Sequence, residues 1–119
     1  MANYVDGFVV PVPKKRLNDY WKLARIAKEV WKDNGAIDYL EAVADDVKWG
    51  KSTSFPRSVK LKPTEVVIFS YIVYPSRAVR DRCMKAVMKD KRFAGMDPKK
   101  MPFDTKRMIW GGFKSKVSM

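Results

Sequence analysis

Asp6 is the first residue whose type and position could do chemistry, because it interrupts an apolar stretch that runs from Tyr4 to Val12. A carboxylate among apolar neighbours either has a raised pKa or is paired with a cation. Asp6 is therefore a candidate general base or ligand anchor. The alternative is a structural ion pair, or a hydrogen bond near Gly7 or the Gly111-Gly112 pair.

Asp104 and Arg107 come just before the last apolar stretch of the chain. Arg107 could pair with Asp6 or hold an anionic ligand through two parallel hydrogen bonds. Asp6 and Arg107 are the candidates for catalysis. Alternatively, Asp104 accepts hydrogen bonds from backbone N–H groups and thereby stabilises a loop. Glu41 is a further carboxylate in an apolar stretch. It is a candidate ligand contact, and a solvent-facing place on an edge strand is the alternative.

Aromatic and glycine residues complete the candidate site. A glycine pair inside a strand indicates close backbone approach, a bulge or a ligand against the sheet. Trp21 and Trp31 could join Trp110 in an aromatic pocket, although helical spacing is also typical of plain core. The predicted ligand-binding residues are Asp6, Glu41, Asp104, Arg107, Trp110, Gly111 and Gly112.

Two residue types limit the chemistry. The chain has no histidine, which removes the commonest metal ligand and the usual catalytic base, and so excludes most hydrolase and metalloenzyme designs. Its one cysteine, Cys83, falls on the apolar face of a predicted helix, which favours inert packing. Asp45 and Asp46 lack further spaced oxygen ligands, so a turn is favoured over a cation site. No metal and no cofactor are predicted.

The elements that must position these residues alternate as strand, helix, strand, strand, helix, strand. Branched and aromatic residues predict strands at 4–12, 36–47, 65–74 and 108–117. Apolar residues at three- and four-residue spacing predict helices at 14–34 and 76–89. The connection 48–64 is predicted to be a loop with a short extended piece at 57–61, and 93–107 to be irregular.

This order is the ferredoxin-like βαββαβ pattern of the α+β class, a four-stranded antiparallel sheet with two helices on one face. The uncovered face of such a sheet is polar in a monomer. In the third predicted strand, however, Val66 and Ile68 on one face and Val67 and Phe69 on the other are all apolar. We therefore predict one domain over residues 1–119 that forms a homodimer, sheet on sheet, as a dimeric α/β barrel.

Several blocks of the sequence carry a family resemblance. They are Tyr-Val-Asp-Gly-Phe-Val-Val at 4–10, Ala-Asp-Asp-Val at 44–47, Tyr-Pro-Ser at 74–76, Met-Pro-Phe-Asp at 101–104 and Gly-Gly-Phe at 111–113. With these blocks the chain resembles the YbaA-like family of uncharacterised bacterial proteins, a family with a domain of unknown function. The resemblance implies a dimeric α/β barrel and kinship with cofactor-free monooxygenases, haem-degrading enzymes, small-molecule isomerases and ligand-sensing domains. It implies no activity.

The formal net charge of +12 would attract phosphates, nucleic acid or anionic surfaces. The connection 48–62, called the basic loop below, interleaves cations with aromatic rings, as single-strand binders do. An ordinary solvated face is the alternative. The residues of this alternative nucleic-acid site are Lys48, Trp49, Lys51, Arg57, Lys60 and Lys62.

No apolar run approaches the roughly 18 residues that span a bilayer, and the N-terminus does not have the pattern of a secretory signal. We therefore predict a cytoplasmic protein without membrane contact. The leading functional hypothesis is a homodimeric small-ligand-binding protein or cofactor-free enzyme, with an unknown small molecule in a cavity between sheet and helices. The alternative is a nucleic-acid-associated protein that uses its basic surface.

Overall fold

A four-stranded antiparallel sheet is the frame of the structure, a computed structural model that describes residues 2–119. Its strands are β1 (Tyr4–Pro13), β2 (Asp38–Val43), β3 (Glu65–Tyr74) and β4 (Ile109–Lys114), in the spatial order β2-β3-β1-β4. β1 and β3 are the central pair and align along their whole length, from Tyr4 opposite Tyr74 to Pro13 opposite Glu65.

The helices α1 (Leu17–Asp33) and α3 (Arg77–Met88) cover one face of this sheet. Tyr20 and Ala24 of α1 pack on Val10, Val12 and Ile68, in one of two core clusters. The other cluster joins Val30 of α1 and Cys83 and Val87 of α3 to Tyr4, Ile72 and Tyr74. These strand residues alternate along β1 and β3 and so share one face. The predicted α+β ferredoxin-like fold is confirmed.

The connection between β2 and β3 differs from its prediction. Residues 57–61 were expected to include an extended piece, but a one-turn helix, α2, spans Phe55–Ser58 instead. Ser54 caps it by accepting a hydrogen bond from the Arg57 N–H at 3.1 Å, and Pro56 lies in the first turn, where its missing N–H costs nothing. Ser76 caps α3 in the same way, since its side chain accepts a hydrogen bond from the Val79 N–H at 3.2 Å.

The second face of the sheet, called the outer face below, carries apolar side chains that the helices do not cover. Phe113 is 64% exposed, Ile109 45% and Phe69 43%. By strand alternation, Leu40, Val5, Val9 and Tyr71 lie on the same face. The apolar second face that the sequence pattern indicates is therefore present. Among residues 2–119, no helix combines the length and the apolarity that a bilayer crossing requires.

Candidate functional site

A cavity of 540 Å³ lies between the covered face of the sheet and the helices. Phe8, Val10 and Ile72 on the central strands line one side of it, and residues of α1, α3 and the segment 93–108 line the others. Its volume is in the range of small-molecule sites, which run from about 300 to about 1,000 Å³. The fold therefore provides a partly open cavity of ligand size under the sheet.

Glu41 is the centre of the polar part of this cavity. Tyr20 on α1 donates its hydroxyl hydrogen to one carboxylate oxygen at 2.5 Å, and Tyr39 donates to the other at 2.7 Å. Tyr39 and Glu41 are two residues apart on β2 and so share a face, while Ser70 on β3 is directly opposite Glu41. These four residues, called the polar corner below, all line the cavity.

Burial raises the pKa of Glu41, because it removes the carboxylate from water, and the hydrogen bonds from Tyr20, Tyr39 and Ser70 oppose this rise. Burial, together with the charge of Glu41, also raises the pKa of both tyrosines, so both remain protonated donors at neutral pH. The polar corner can accept a proton or a hydrogen bond from a molecule in the cavity.

The rest of the lining is apolar and rich in aromatic rings and thioethers. The rings of Phe8 and Trp110 stack with centroids 6.2 Å apart, and those of Trp31 and Phe93 meet edge to face at 6.0 Å. All five internal methionines of the chain line this one cavity: Met84, Met88, Met96, Met101 and Met108. Since methionine is flexible and polarisable, this wall can adapt to ligands of different shape.

Asp6 lies beneath the cavity and is 0% exposed. Tyr74 donates to one of its oxygens at 3.0 Å and Arg80 of α3 to the other at 3.3 Å. Burial raises the pKa of Asp6, and the hydrogen bond from Tyr74 and the charge of Arg80 oppose the rise. Trp31, which lines the cavity, donates its indole N–H to the Tyr74 hydroxyl at 3.0 Å. Hydrogen bonds through Tyr74 and Trp31 therefore link Asp6 to the cavity wall, although Asp6 is not part of that wall.

Arg107 has a different partner from the one considered in the sequence. It donates to both oxygens of Glu65, at 2.8 and 2.5 Å, and to Asp104 at 2.8 Å. Its hydrogen bonds lower the pKa of both Glu65 and Asp104. The suggested Asp6–Arg107 pair is wrong, because Arg80 occupies the place beside Asp6. Arg107 instead ties the segment before β4 to the start of β3.

The glycine pair of β4 serves packing inside the protein. A Cβ added at Gly112 would lie 2.7 Å from Cε2 of Tyr4 and closer still to the Tyr4 hydroxyl, so the side chain of Tyr4 lies directly over this glycine. A Cβ at Gly111, in contrast, would make an ordinary contact of 3.7 Å with Phe113. Of the predicted ligand-binding set, the cavity wall within residues 2–119 includes Glu41 and Trp110 and leaves out Asp6, Asp104, Arg107, Gly111 and Gly112.

In the basic loop, the side chain of Arg57 forms hydrogen bonds with the backbone of the same loop. Its guanidinium donates to the carbonyl oxygens of Trp49 and Gly50, each at 2.8 Å, and lies 5.9 Å from the centroid of the Trp49 ring. The Trp49 ring is half exposed, and Lys48, Lys51, Lys60 and Lys62 are exposed to solvent. The predicted nucleic-acid residues are thus all exposed, and Arg57 holds the backbone of the loop.

Cys83 is buried, and burial raises the pKa of its thiol to about 11, which matches the inert packing expected from the sequence. Across residues 2–119, no three carboxylate or thiol side chains converge as metal ligands would. The carboxylate and hydroxyls of the polar corner are hydrogen-bonded to one another.

Sequence reasoning missed Tyr20, Tyr39, Ser70 and the methionines. The alternation of Tyr39 and Glu41 was a usable signal, since residues two apart on a strand share a face. Tyr20 is 21 positions from Glu41 in sequence, so their contact depends on how α1 packs on the sheet. Met96, Met101 and Met108 follow α3 in a segment without periodicity, where no pattern reports which way they face.

Comparison with known proteins identifies relatives but no activity. Residues 3–105 match a family model described as a protein of unknown function, DUF1428. The chain is 46% identical over 112 residues to the uncharacterized protein YbaA of Escherichia coli strain K12, covering 94% of this chain and 95% of that one. The protein of the same name from Shigella flexneri matches with the same identity and coverage.

Solved structures with a similar fold include a crystal structure of a Bacillus cereus protein whose name assigns it to the antibiotic biosynthesis monooxygenases. The TM-score is 0.54 and the alignment covers 100% of this chain and 98% of that one, but only 12% of the aligned residues are identical. The likeness therefore concerns the fold alone.

Proposed function

The chain belongs to the DUF1428 family of proteins of unknown function, and from this premise we propose that it is a small-molecule-binding protein whose ligand occupies the cavity between the sheet and the helices. The observation that carries the proposal is Glu41, a carboxylate that lines an otherwise apolar cavity and is held at both oxygens by tyrosines.

The energetics of Glu41 support a binding role. A carboxylate in apolar surroundings is costly, and groups of this kind are concentrated at functional sites. A core that needed only packing would be served as well by an apolar residue at position 41. Glu41, on the edge strand β2, faces inward, and two tyrosines from different elements fix the position of its oxygens.

The same geometry would also serve a cofactor-free enzyme. Glu41 is placed to take a proton from a bound molecule, and Tyr20 and Tyr39 would stabilise its charged form by hydrogen bonding. The Bacillus cereus protein of similar fold is named for small-molecule chemistry, which is compatible with this extension. Ligand binding is the part of the proposal common to both versions.

We infer further that two copies pack through the outer face. The exposed side chains of Phe69, Ile109 and Phe113 lie together on one sheet, opposite the helices. Sheet-on-sheet packing would bury them, and closed twofold dimers are the commonest way for a soluble protein to cover such a face. The cavity lies on the other side of the sheet, so dimerisation leaves it available to a ligand.

Nile red, a neutral apolar dye that fluoresces in dry environments, tests the binding proposal. We expect saturable binding to the wild-type protein. Ala27→Phe should abolish it, because Ala27 lines the cavity and a phenyl ring there would fill it. The matched control is Ile26→Phe, the exposed neighbour on the same helix, which should bind normally. Equal dye binding by the two variants, or none by the wild type, would contradict the proposal.

A further inference from the structure

We propose that the ligand of this cavity is a lipophilic organic cation: an apolar body, aromatic or aliphatic, that carries a protonated amine. This inference rests on the proposed function, since it assigns a ligand class to the same cavity. The chain has a net charge of +12, which would repel a cation. The proposal therefore rests on the residues that line the cavity and not on the net charge.

The charges that line the cavity are of one sign. The chain contains 25 lysine and arginine residues, yet none of them is among the described residues of the cavity wall. Glu41 is the one carboxylate found there within residues 2–119. An anionic ligand would therefore find no cation to pair with and would be repelled by Glu41, which disfavours carboxylates and phosphates in this cavity.

The polar corner offers acceptors to a ligand. A tyrosine hydroxyl has one hydrogen, and both Tyr20 and Tyr39 give theirs to Glu41. What remains free is acceptor capacity, on the two hydroxyl oxygens and on the carboxylate, which has about four lone-pair sites in total. A ligand that matches this corner must bring hydrogen-bond donors, and a protonated amine brings up to three on one positive centre.

The charge of Glu41 distinguishes a cation from a neutral donor. An alcohol could donate one hydrogen bond, but it would leave the half-buried carboxylate without a counter-charge. An ammonium group supplies both the hydrogen bond and the charge, and bonds between ionised groups are about twice as strong as neutral ones.

The apolar lining suits the rest of such a molecule. Aromatic faces attract cations that lie within about 6 Å of the ring centroid, and the rings of Trp31 and Trp110 both line the cavity. The five methionines add flexible, polarisable surface that can fit an apolar body of variable shape. A carboxylate corner within an aromatic and thioether wall therefore complements a lipophilic cation along its whole length.

The test uses three naphthalenes that differ in their head group. 1-Naphthylmethylamine is the cation, 1-naphthalenemethanol is the neutral donor, and 1-naphthylacetate, the carboxylate of 1-naphthylacetic acid, is the anion. Their affinities are measured at neutral pH by displacement of Nile red. We expect the amine to bind about tenfold more tightly than the alcohol, or better, as one charge-assisted hydrogen bond would give, and the anion to bind weakest.

Glu41→Gln keeps the shape of the side chain and removes its charge. In this variant the preference for the amine over the alcohol should fall to within about threefold. N-(1-naphthylmethyl)trimethylammonium, which has charge but no N–H, should lie between the amine and the alcohol on the wild-type protein, so the series remains decisive even if the variant does not fold.

An amine that binds no more tightly than the alcohol, including one that fails to displace the dye, would overturn the cation assignment, and so would tightest binding of the naphthylacetate. In both cases Nile red would still bind the wild type, and the cavity would remain a ligand site of another class. Absence of Nile red binding to the wild type would instead remove the proposed function itself.

Discussion

Glu41 shows how a half-buried carboxylate can be held in position without a basic partner. Its two oxygens are satisfied by hydroxyl donors, which stabilise the charged form without supplying a counter-charge. Desolvation prevails over these hydrogen bonds, so the pKa of Glu41 lies above its ordinary range. The residue is thereby sensitive to any positive group that enters the cavity.

The raised pKa of Glu41 gives a pH-dependent stability. Folding favours the protonated acid, so its contribution is complete below the ordinary glutamate pKa of about 4.3 and is lost as the pH rises through the raised value. The groups that face it, Tyr20, Tyr39 and Ser70, remain neutral through this interval. We predict that the free energy of unfolding of Glu41→Gln minus that of the wild type increases with pH. Urea denaturation between about pH 4 and about pH 8 measures this difference, and a decrease would contradict the prediction.

Breaking the Asp6–Arg80 ion pair should lower the free energy of unfolding strongly. Arg80→Met would leave Asp6, whose side chain is 1% exposed, without its cation, and should reduce the free energy of unfolding by about 3–5 kcal/mol. Arg77→Met is the control, since Arg77 and Asp81 form an exposed pair worth less than about 1 kcal/mol. The double variant Asp6→Asn, Arg80→Met should recover part of the loss, because it removes the unpaired charge. Equal, small effects of the two single arginine changes would show that Asp6 does not depend on Arg80.

The pairing of β4 with β1 depends at one point on the absence of a side chain. Gly112 lies against the buried ring of Tyr4, whose hydroxyl accepts a hydrogen bond from Arg80. Gly112→Ala should therefore lower the free energy of unfolding by about 1–3 kcal/mol, the usual cost of overpacking. Gly111→Ala, one residue earlier on the same strand, meets only an ordinary contact and should change stability much less. Thermal or urea unfolding of both variants compares them, and equal effects would contradict the close approach at Gly112.

The helices and strands were more predictable than the candidate site, because the spacing of residue types along the chain indicates them directly. The residue pattern placed both long helices and all four strands, although β2 spans Asp38–Val43 and not 36–47, and β4 ends at Lys114 and not at residue 117. The cap at Ser54 and the proline that follows are also local signals, and they were overlooked when an extended piece was placed at 57–61. The prediction that segment 93–107 is irregular agrees with the structure, where it contains only short turns such as Pro98–Lys100.

The site needed information that no local pattern contains. Asp6 was selected as a carboxylate in an apolar strand, and it is buried, but which arginine meets it depends on the packing of α3. Glu41 was selected for the same reason and faces the cavity because of the strand pairing that places Ser70 opposite it. Both choices identified unusual carboxylates, and only the three-dimensional arrangement separates a buried ion pair from a cavity lining.

At the scale of the whole molecule, the outer face predicts the oligomeric state. Phe69→Glu or Phe113→Glu would place a charge at the sheet-to-sheet contact and should raise the dimer dissociation constant by about a hundredfold or more. Ile26→Glu is the control, since Ile26 is also exposed but lies on α1, on the other side of the sheet. Sedimentation velocity distinguishes the species. A monomeric wild type, or dissociation caused equally by the control, would contradict packing through the outer face.

The molecule also separates its charges. Exposed lysines cover the surface, including the basic loop, while the described lining of the cavity is acidic at Glu41. The surface would favour anionic macromolecules and the cavity would favour small cations, so the two properties can be tested independently. High salt screens the first and affects a buried contact much less.

The placement of the methionines gives the cavity its own set of spectroscopic labels. The chain has seven methionines; five of them line the cavity, and Met119 is exposed at the end of the chain. Carbon-13 labelling of the methionine methyl groups would therefore yield an NMR spectrum in which five signals report on the cavity wall. The signal from the exposed Met119 would serve as an internal reference, so the occupancy of the site could be followed by isotope labelling alone, without any substitution in the protein.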